Sequence, residues 1–160
     1  MEDLEVLGEY GKIRVIKDKD GIYTKHINPF LIILPYVIDQ EKNPVLIGIT
    51  ENNQAIIKEC DLDGSDFFEV AKELLLEKSG FRTEDDDRWQ FLGPIKLHTG
   101  NKDVILGFGV DITGLVSNAE HDPLNNDFKL VSVPNSLSTN DCFLPILFVK
   151  CFKDLLNKNN

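Results

Sequence analysis

The sequence has little sulfur, few basic side chains and no apolar run long enough for a membrane span. Its three cysteines, Cys60, Cys142 and Cys151, are odd in number and lack the spacing of metal ligands. They suit small apolar side chains in a reducing compartment better than a disulfide framework. The longest apolar run, residues 30–38, contains a proline, whereas a spanning helix needs roughly 20 residues. No leader segment is visible at the N-terminus, so we expect no membrane partner and a cytoplasmic location.

Basic side chains are outnumbered by acidic ones, 17 to 27, which gives a formal net charge of −10. Binding to a nucleic-acid backbone depends on clustered Lys and Arg, and no basic stripe is present. The composition therefore argues against a nucleic-acid partner. An anionic small molecule would need a local source of positive charge or hydrogen-bond donors, such as a divalent cation, a helix N-terminus or a few clustered lysines.

Two kinds of periodicity divide the chain into strands and helices. Alternating apolar and polar residues before residue 28, with a turn at Asp20-Gly21, predict two or three antiparallel strands. Further strands are predicted at residues 30–38, 45–49, 55–57, 89–93, 104–110 and 128–133. Helices are predicted at residues 65–78 and 143–156.

The order of these elements predicts the architecture. Strand runs interrupted by single helices are typical of an α+β layered domain and not of a repeated βαβ sheet. We therefore expect an α/β/α sandwich, with a mixed β-sheet packed between the two helices. Residues 1–156 should form a single domain, and residues 157–160, which are Asn and Lys, a disordered tail.

The first predicted helix has one acidic face. Glu69, Glu73 and Glu77 follow one another at four-residue spacing, while apolar side chains occupy the other side. The acidic row should therefore face away from the core. Taken alone, it is explained by a solvated helix face whose charge is balanced by Lys72 and Lys78.

This helix and three other segments, in this order, resemble the Nudix hydrolase family and its ADP-ribose pyrophosphatase-like branch. Residues 28–35, "NPFLIILP", resemble that branch's strand leading into a Leu-Pro step. Residues 97–103, "LHTGNKD", resemble its Ser-Pro-Gly loop, and residues 128–137, "FKLVSVPNSL", resemble its late strand with a Val-Pro step. The resemblance covers most of the chain and implies a Nudix-like fold.

The family's box reads G-x5-E-x7-R-E-U-x-E-E-x-G-U, with U apolar, and the segment "VAKELLLEKSGF" resembles a degenerate copy of its end. In a gapless register the final glycine falls on Gly80 and one glutamate on Glu77. Leu74 and Lys78 then stand where the box supplies metal-binding glutamates. The leading glycine, the first glutamate and the arginine are also missing.

A one-residue insertion after Glu77 gives a second register. Lys72 and Glu73 then stand for the Arg-Glu pair, and Glu77 for the last glutamate. Two carboxylates at i and i+4 share one helix face, about 6 Å apart at Cβ. The gapless register keeps more of the buried pattern and needs no bulge near Gly80. The sequence leaves both registers open.

The resemblance implies a metal-dependent site on this helix and the neighbouring loops. In the family, box glutamates hold Mg²⁺ against a substrate pyrophosphate, and the metal activates water. By that implication Glu73 and Glu77 are catalytic metal ligands, supported by Glu69. Asp127 and Glu120 are the candidates for a catalytic base.

The loop that resembles the Ser-Pro-Gly loop would border the ligand cleft, which makes His98, Thr99 and Gly100 candidate ligand-binding residues. Two functions follow from the resemblance. One is a divergent Nudix protein that binds and hydrolyses a nucleoside diphosphate linked to another moiety, as in ADP-ribose, with Mg²⁺ or Mn²⁺. The alternative is a catalytically inactive Nudix-like domain, without a cofactor, that binds a ligand or another protein. The family often forms dimers, so a homodimer is expected beside a nucleotide-type ligand.

Overall fold

The computed structural model describes residues 4–61, 66–96, 103–117 and 127–158. The strands are β1 (Glu5–Tyr10), β2 (Ile13–Asp18), β3 (Gly21–His26), β4 (Phe30–Ile38), β5 (Pro44–Ile49), β6 (Ile56–Glu59), β7 (Trp89–Ile95), β8 (Ile105–Asp111) and β9 (Lys129–Ser132). The helices are α1 (Phe67–Ser79), α2 (Val133–Leu137), α3 (Phe143–Cys151) and α4 (Lys153–Lys158). A short 3₁₀ turn, Asp86–Arg88, leads into β7.

The main sheet is mixed and is built around β4. Its strand order is β7-β8-β4-β5-β9, and β6 also pairs with β4. β4 runs parallel to β8 and antiparallel to β5 and β6, which pair with its second and first halves respectively. Residues 31–35 of β4 are buried whichever face they point to. The long apolar run of the sequence is thus a central strand covered on both sides.

Alternate residues of β4 point to opposite faces of the sheet and enter two separate cores. Leu31 and Ile33 pack with the buried side of α1 in one core. Ile32 and Leu34 pack with α3 in the other. The predicted α+β sandwich, a mixed sheet between the first helix and the C-terminal helical region, is confirmed.

The N-terminal strands form a sheet of their own, with antiparallel order β1-β2-β3. The predicted hairpin turn at Asp20-Gly21 joins β2 and β3, and Gly21 has a φ of +142°. At the end of β3 the backbone N–H of His26 donates to Asp103, and its ring Nδ1 lies 2.9 Å from the other carboxylate oxygen. Ile16 is the one buried residue of these three strands.

The predicted C-terminal helix is interrupted at Phe152, between α3 and α4. The backbone of Phe152 has φ −112° and ψ 24°, outside the helical range. Its ring makes close aromatic contacts with Tyr36 and Phe148, each at a centroid distance of 4.9 Å. We attribute the break to these contacts, because they hold the Phe152 ring against Tyr36 of β4. The apolar pattern itself continues from α3 into α4 and gives no reason for a break.

Two further details differ from the sequence prediction. α2 begins directly after β9, with Pro134 in its first turn, where the sequence predicted only the end of a strand. α4 continues to Lys158, inside the range predicted as a tail. Among the described residues, none of the helices combines the length and apolar character that crossing a membrane requires.

Candidate functional site

Local side-chain chemistry fixes both ends of α1. The carboxylate of Asp66 accepts the backbone N–H of Phe68 at 2.9 Å, which satisfies one of the free donors of the first turn. At the other end Gly80 adopts φ +72°, and its N–H donates to the carbonyl oxygen of Leu76 at 2.9 Å. This left-handed cap suits glycine, which has no Cβ to clash. The acidic residues of α1 are therefore held on a helix with fixed ends.

The inner face of α1 is closed to any ligand. Ala71 and Leu74 are 0% exposed and Leu75 is 1% exposed. The hydroxyl of Ser79, also buried, donates to the carbonyl oxygen of Leu75 at 2.6 Å. In the gapless register Leu74 stands where the family's box has a glutamate, and this position lies inside the core.

Glu69, Glu73 and Glu77 are all exposed, which confirms that the acidic row faces away from the core. The carboxylate of Glu69 accepts a hydrogen bond from the Lys72 ammonium at 3.1 Å. Lys72 also pairs with Asp86 at 2.9 Å. Hydrogen bonds to Asp86 first, and then to Glu69, raise the pKa of Lys72 above its ordinary value. The single charge of Lys72 is thus shared between two exposed carboxylates, those of Glu69 and Asp86.

Glu73 lies in a small concavity beside α1, with a volume of about 260 Å³. The concavity is lined by Glu69, Lys72, Glu73, Leu76, Arg82, Thr83, Glu84 and Trp89. At its rim Arg82 pairs with Glu84 at 2.8 Å, whereas Glu73 makes no ion pair within the described residues. Ligand pockets usually measure about 300–1,000 Å³, so this concavity suits a fragment of a nucleotide and not a whole one.

Glu77 makes ion pairs of its own and is not among the described residues that line this concavity. Its carboxylate lies 3.1 Å from the ammonium of Lys58, on β6, and 3.9 Å from that of Lys78. Two positive charges therefore flank one negative charge. All three side chains remain partly exposed, so the pairs are screened by solvent and contribute little to stability.

Of the other five predicted site residues, the structure describes only Asp127. The carboxylate of Asp127 accepts the backbone N–H of Glu51 at 3.3 Å, just beyond the end of β5. Glu120, His98, Thr99 and Gly100 lie outside the described residues. Of the predicted site, the structure thus brings Glu69 and Glu73 together and directs Glu77 to lysines.

Magnesium requires oxygen ligands in octahedral geometry, usually one or two carboxylates beside waters and phosphates. Within the described ranges no group of three or more His, Cys, Asp or Glu side chains could hold a metal ion. Leu74 is buried, and the exposed carboxylate of Glu77 is already paired with the ammonium groups of Lys58 and Lys78. The described residues at the box positions do not fit the family's magnesium site.

Sequence reasoning missed Lys58, the strongest partner of Glu77. The two residues are 19 positions apart and meet only because β6 packs beside α1. No local spacing signals such a contact. The pair of Glu69 and Lys72, in contrast, is an i, i+3 contact on one helix and follows from the sequence.

No protein-family model matches the sequence, and no curated protein has a significantly similar sequence. The fold, in contrast, matches many solved structures. One of them, described as the crystal structure of an ADP compounds hydrolase, is a Nudix enzyme with a TM-score of 0.59 and 13% sequence identity. The match covers 99% of this chain and 95% of that chain. At this identity the likeness shows the fold alone, and the predicted Nudix-like fold is confirmed.

Proposed function

We propose that this chain is a divergent Nudix-fold protein that binds a nucleoside diphosphate linked to another moiety, an ADP-ribose-like compound. The observation that carries the proposal is the likeness to an ADP compounds hydrolase over nearly the full length of both chains. The degenerate box then corresponds to α1, in the gapless register. The proposal assigns binding, and not efficient hydrolysis, because Leu74 and Lys78 replace two carboxylates of that box.

Hydrolysis is the second candidate function. The observation in its favour is Glu73, whose exposed carboxylate makes no ion pair within the described residues and lines one concavity with Glu69. In this form of the proposal Glu73 and Glu77 are the ligands of Mg²⁺ or Mn²⁺, Glu69 supports them, and Asp127 or Glu120 is the base. The described side chains alone do not form a site for this metal.

Calorimetric titration with ADP-ribose tests the binding proposal, first in EDTA and then with millimolar Mg²⁺. We expect saturable binding in EDTA and little change on adding metal. Absence of binding in both conditions would refute the proposal. Release of phosphate-ended products, followed by chromatography with Mg²⁺ or Mn²⁺, tests the hydrolytic candidate in the same samples.

Two conservative variants separate the candidates. If the chain hydrolyses its ligand through these residues, Glu73→Gln and Glu77→Gln should each lower turnover at least about tenfold, or about 1.4 kcal/mol of transition-state stabilisation. If Glu77 is only a lysine-paired surface group, Glu77→Gln leaves ligand affinity within a few-fold. Glu41→Gln, in the turn between β4 and β5, is the matched control and should change neither quantity.

The expected homodimer stays a proposal and has a candidate surface. On one face of the N-terminal sheet, Tyr10 pairs with Ile13 across β1 and β2, and Ile22 lies on the same face of β3. Tyr10 is 75% exposed and Ile22 63% exposed. The same face also carries the charged residues Glu5 and Lys17, which are neighbours across β1 and β2 beside Ile22. We propose that a second copy of the chain covers this mixed apolar and charged face.

A further inference from the structure

A polar cleft lies where the turn between β5 and β6 faces the connection between α2 and α3. Its volume is about 630 Å³, within the usual range for small-molecule sites. Within the described part of the chain it shares no lining residue with the concavity beside α1. Its walls are rich in carboxamides, contributed by Asn52, Asn53, Gln54, Asn135 and Asn140.

The backbone of this cleft is held in place without using those carboxamides. Asp141 joins the two walls: one carboxylate oxygen accepts the N–H of Ala55 at 2.9 Å, and the other accepts those of Phe143 and Leu144. In the turn, the N–H of Gln54 donates to the hydroxyl of Thr50 at 3.1 Å. The cleft is thus a fixed concavity before any ligand arrives.

All five carboxamides belong to exposed residues. None of the five side-chain amides is hydrogen-bonded within the described part of the chain. Each amide offers two N–H donors and a carbonyl acceptor. Hydroxyl groups of Ser138 and Thr139 lie on the same wall, although each already donates to a backbone carbonyl. The cleft therefore presents many unused donors and acceptors from two sides.

Charge narrows the class of ligand. Asp141 is the only carboxylate among the lining residues that the structure describes, and its oxygens already accept three backbone N–H groups. Among the described residues no Lys, Arg or His lines the cleft. An anion would find no counter-charge, and a cation would have to displace the hydrogen bonds that hold the walls. The ligand that fits is neutral and rich in hydroxyl groups.

Shape narrows the class further. A flat nucleobase is held best between two apolar faces, and the cleft offers one aromatic ring, that of the half-buried Phe143. A sugar ring needs one apolar contact and several amide partners for its hydroxyls. We propose that this cleft binds a neutral carbohydrate unit, whose hydroxyl groups form hydrogen bonds with the carboxamides of the β5–β6 turn and of the α2–α3 connection.

Nuclear magnetic resonance titration with methyl α-glucopyranoside tests this proposal on the full chain. We expect saturable shifts of the side-chain amide signals of Asn52, Gln54 and Asn140, with no ADP-ribose present. Bound glycoside should also slow alkylation of Cys142, an exposed thiol in the same cleft. Two ligands serve as comparisons: glucuronate, which adds one negative charge to the same ring, and adenosine.

Asn52→Ala and Asn140→Ala should each weaken glycoside binding about fivefold, the effect of losing one hydrogen bond. Asn53 is avoided as a test position because its φ of +60° would strain alanine. Gln40→Ala removes a carboxamide from a turn elsewhere and should leave the affinity unchanged. The proposal is overturned if no glycoside binds, if adenosine or glucuronate binds more tightly, or if Gln40→Ala weakens binding as much as Asn140→Ala.

Discussion

Replacing Leu74 with glutamate would give the chain the residue that the family's box has at this position in the gapless register. The side chain of Leu74 is fully buried between α1 and the main sheet, in the core that also contains Leu31 and Ile33. Burying a leucine side chain contributes about 1.5–3 kcal/mol. Burying an unpaired carboxylate costs several kcal/mol more. We therefore expect Leu74→Glu to lower the free energy of unfolding by at least about 4 kcal/mol, close to the whole stability of a weakly stable domain.

Urea denaturation followed by circular dichroism measures this loss. Leu74→Ala, which leaves a cavity without a charge, should cost about 2–5 kcal/mol and remain measurable if the glutamate variant does not fold. Leu76→Glu is the matched control on the same helix, because Leu76 is 38% exposed. A surface substitution of this kind should cost no more than about 0.5–1 kcal/mol.

The dependence on pH gives a second check on the same variant. Burial disfavours the charged form and raises the pKa of the introduced carboxyl above its unfolded value of about 4.3. The destabilisation is therefore largest above the folded-state pKa, and it decreases as the pH falls through that value. If Leu74→Glu is as stable as Leu76→Glu at neutral pH, Leu74 does not face the core and the assignment of the inner face of α1 is wrong.

Burial raises the pKa of both Cys60 and Cys151, that of Cys151 to about 12, so native protein alkylated at mildly alkaline pH should carry one label, on the exposed Cys142. Mass spectrometry showing equal labelling of Cys60 or Cys151 would contradict this. A Cβ on Gly48 would lie 2.5 Å from an aromatic ring atom, so Gly48→Ala should cost about 1–3 kcal/mol in urea denaturation, and an unchanged midpoint would refute the close contact. The double variant Tyr10→Ser/Ile22→Lys should sediment as a monomer, whereas a monomeric parent chain would exclude the proposed dimer surface.

The position of α1 could be predicted from the sequence because both of its ends are determined locally. The side chain of Asp66 caps the start of the helix and the backbone of Gly80 caps its end. Neither cap depends on a residue that is distant in the sequence. The observed bounds, Phe67–Ser79, differ from the predicted 65–78 by two residues at the start and one at the end. The exposure of the acidic row could also be predicted, because four-residue spacing places all three glutamates on one face of a helix, opposite the apolar side chains.

Contacts between distant residues could not be predicted. Alternation identified the N-terminal strands but does not say with which strands they pair, so their separation from the main sheet was not expected. The break at Phe152 depends on the ring of Tyr36, more than 100 residues earlier in the sequence. The apolar pattern of α3 and α4 continues across this break, because both helices pack on the same face of the sheet.

The environment of Glu77 shows why restoring a magnesium site in this chain would take more than one substitution. Removing Lys78 alone leaves Lys58 at 3.1 Å from the same carboxylate, so a divalent cation would still meet a positive charge. Adding a carboxylate at position 74 would place it in the core, where it is unstable and unreachable from solvent. Glu73, the exposed carboxylate without an ion pair in the described ranges, lines the concavity beside α1, whereas Glu77 is not among the described residues that line it. Both the core and the surface of α1 would therefore have to change for a magnesium site to form here.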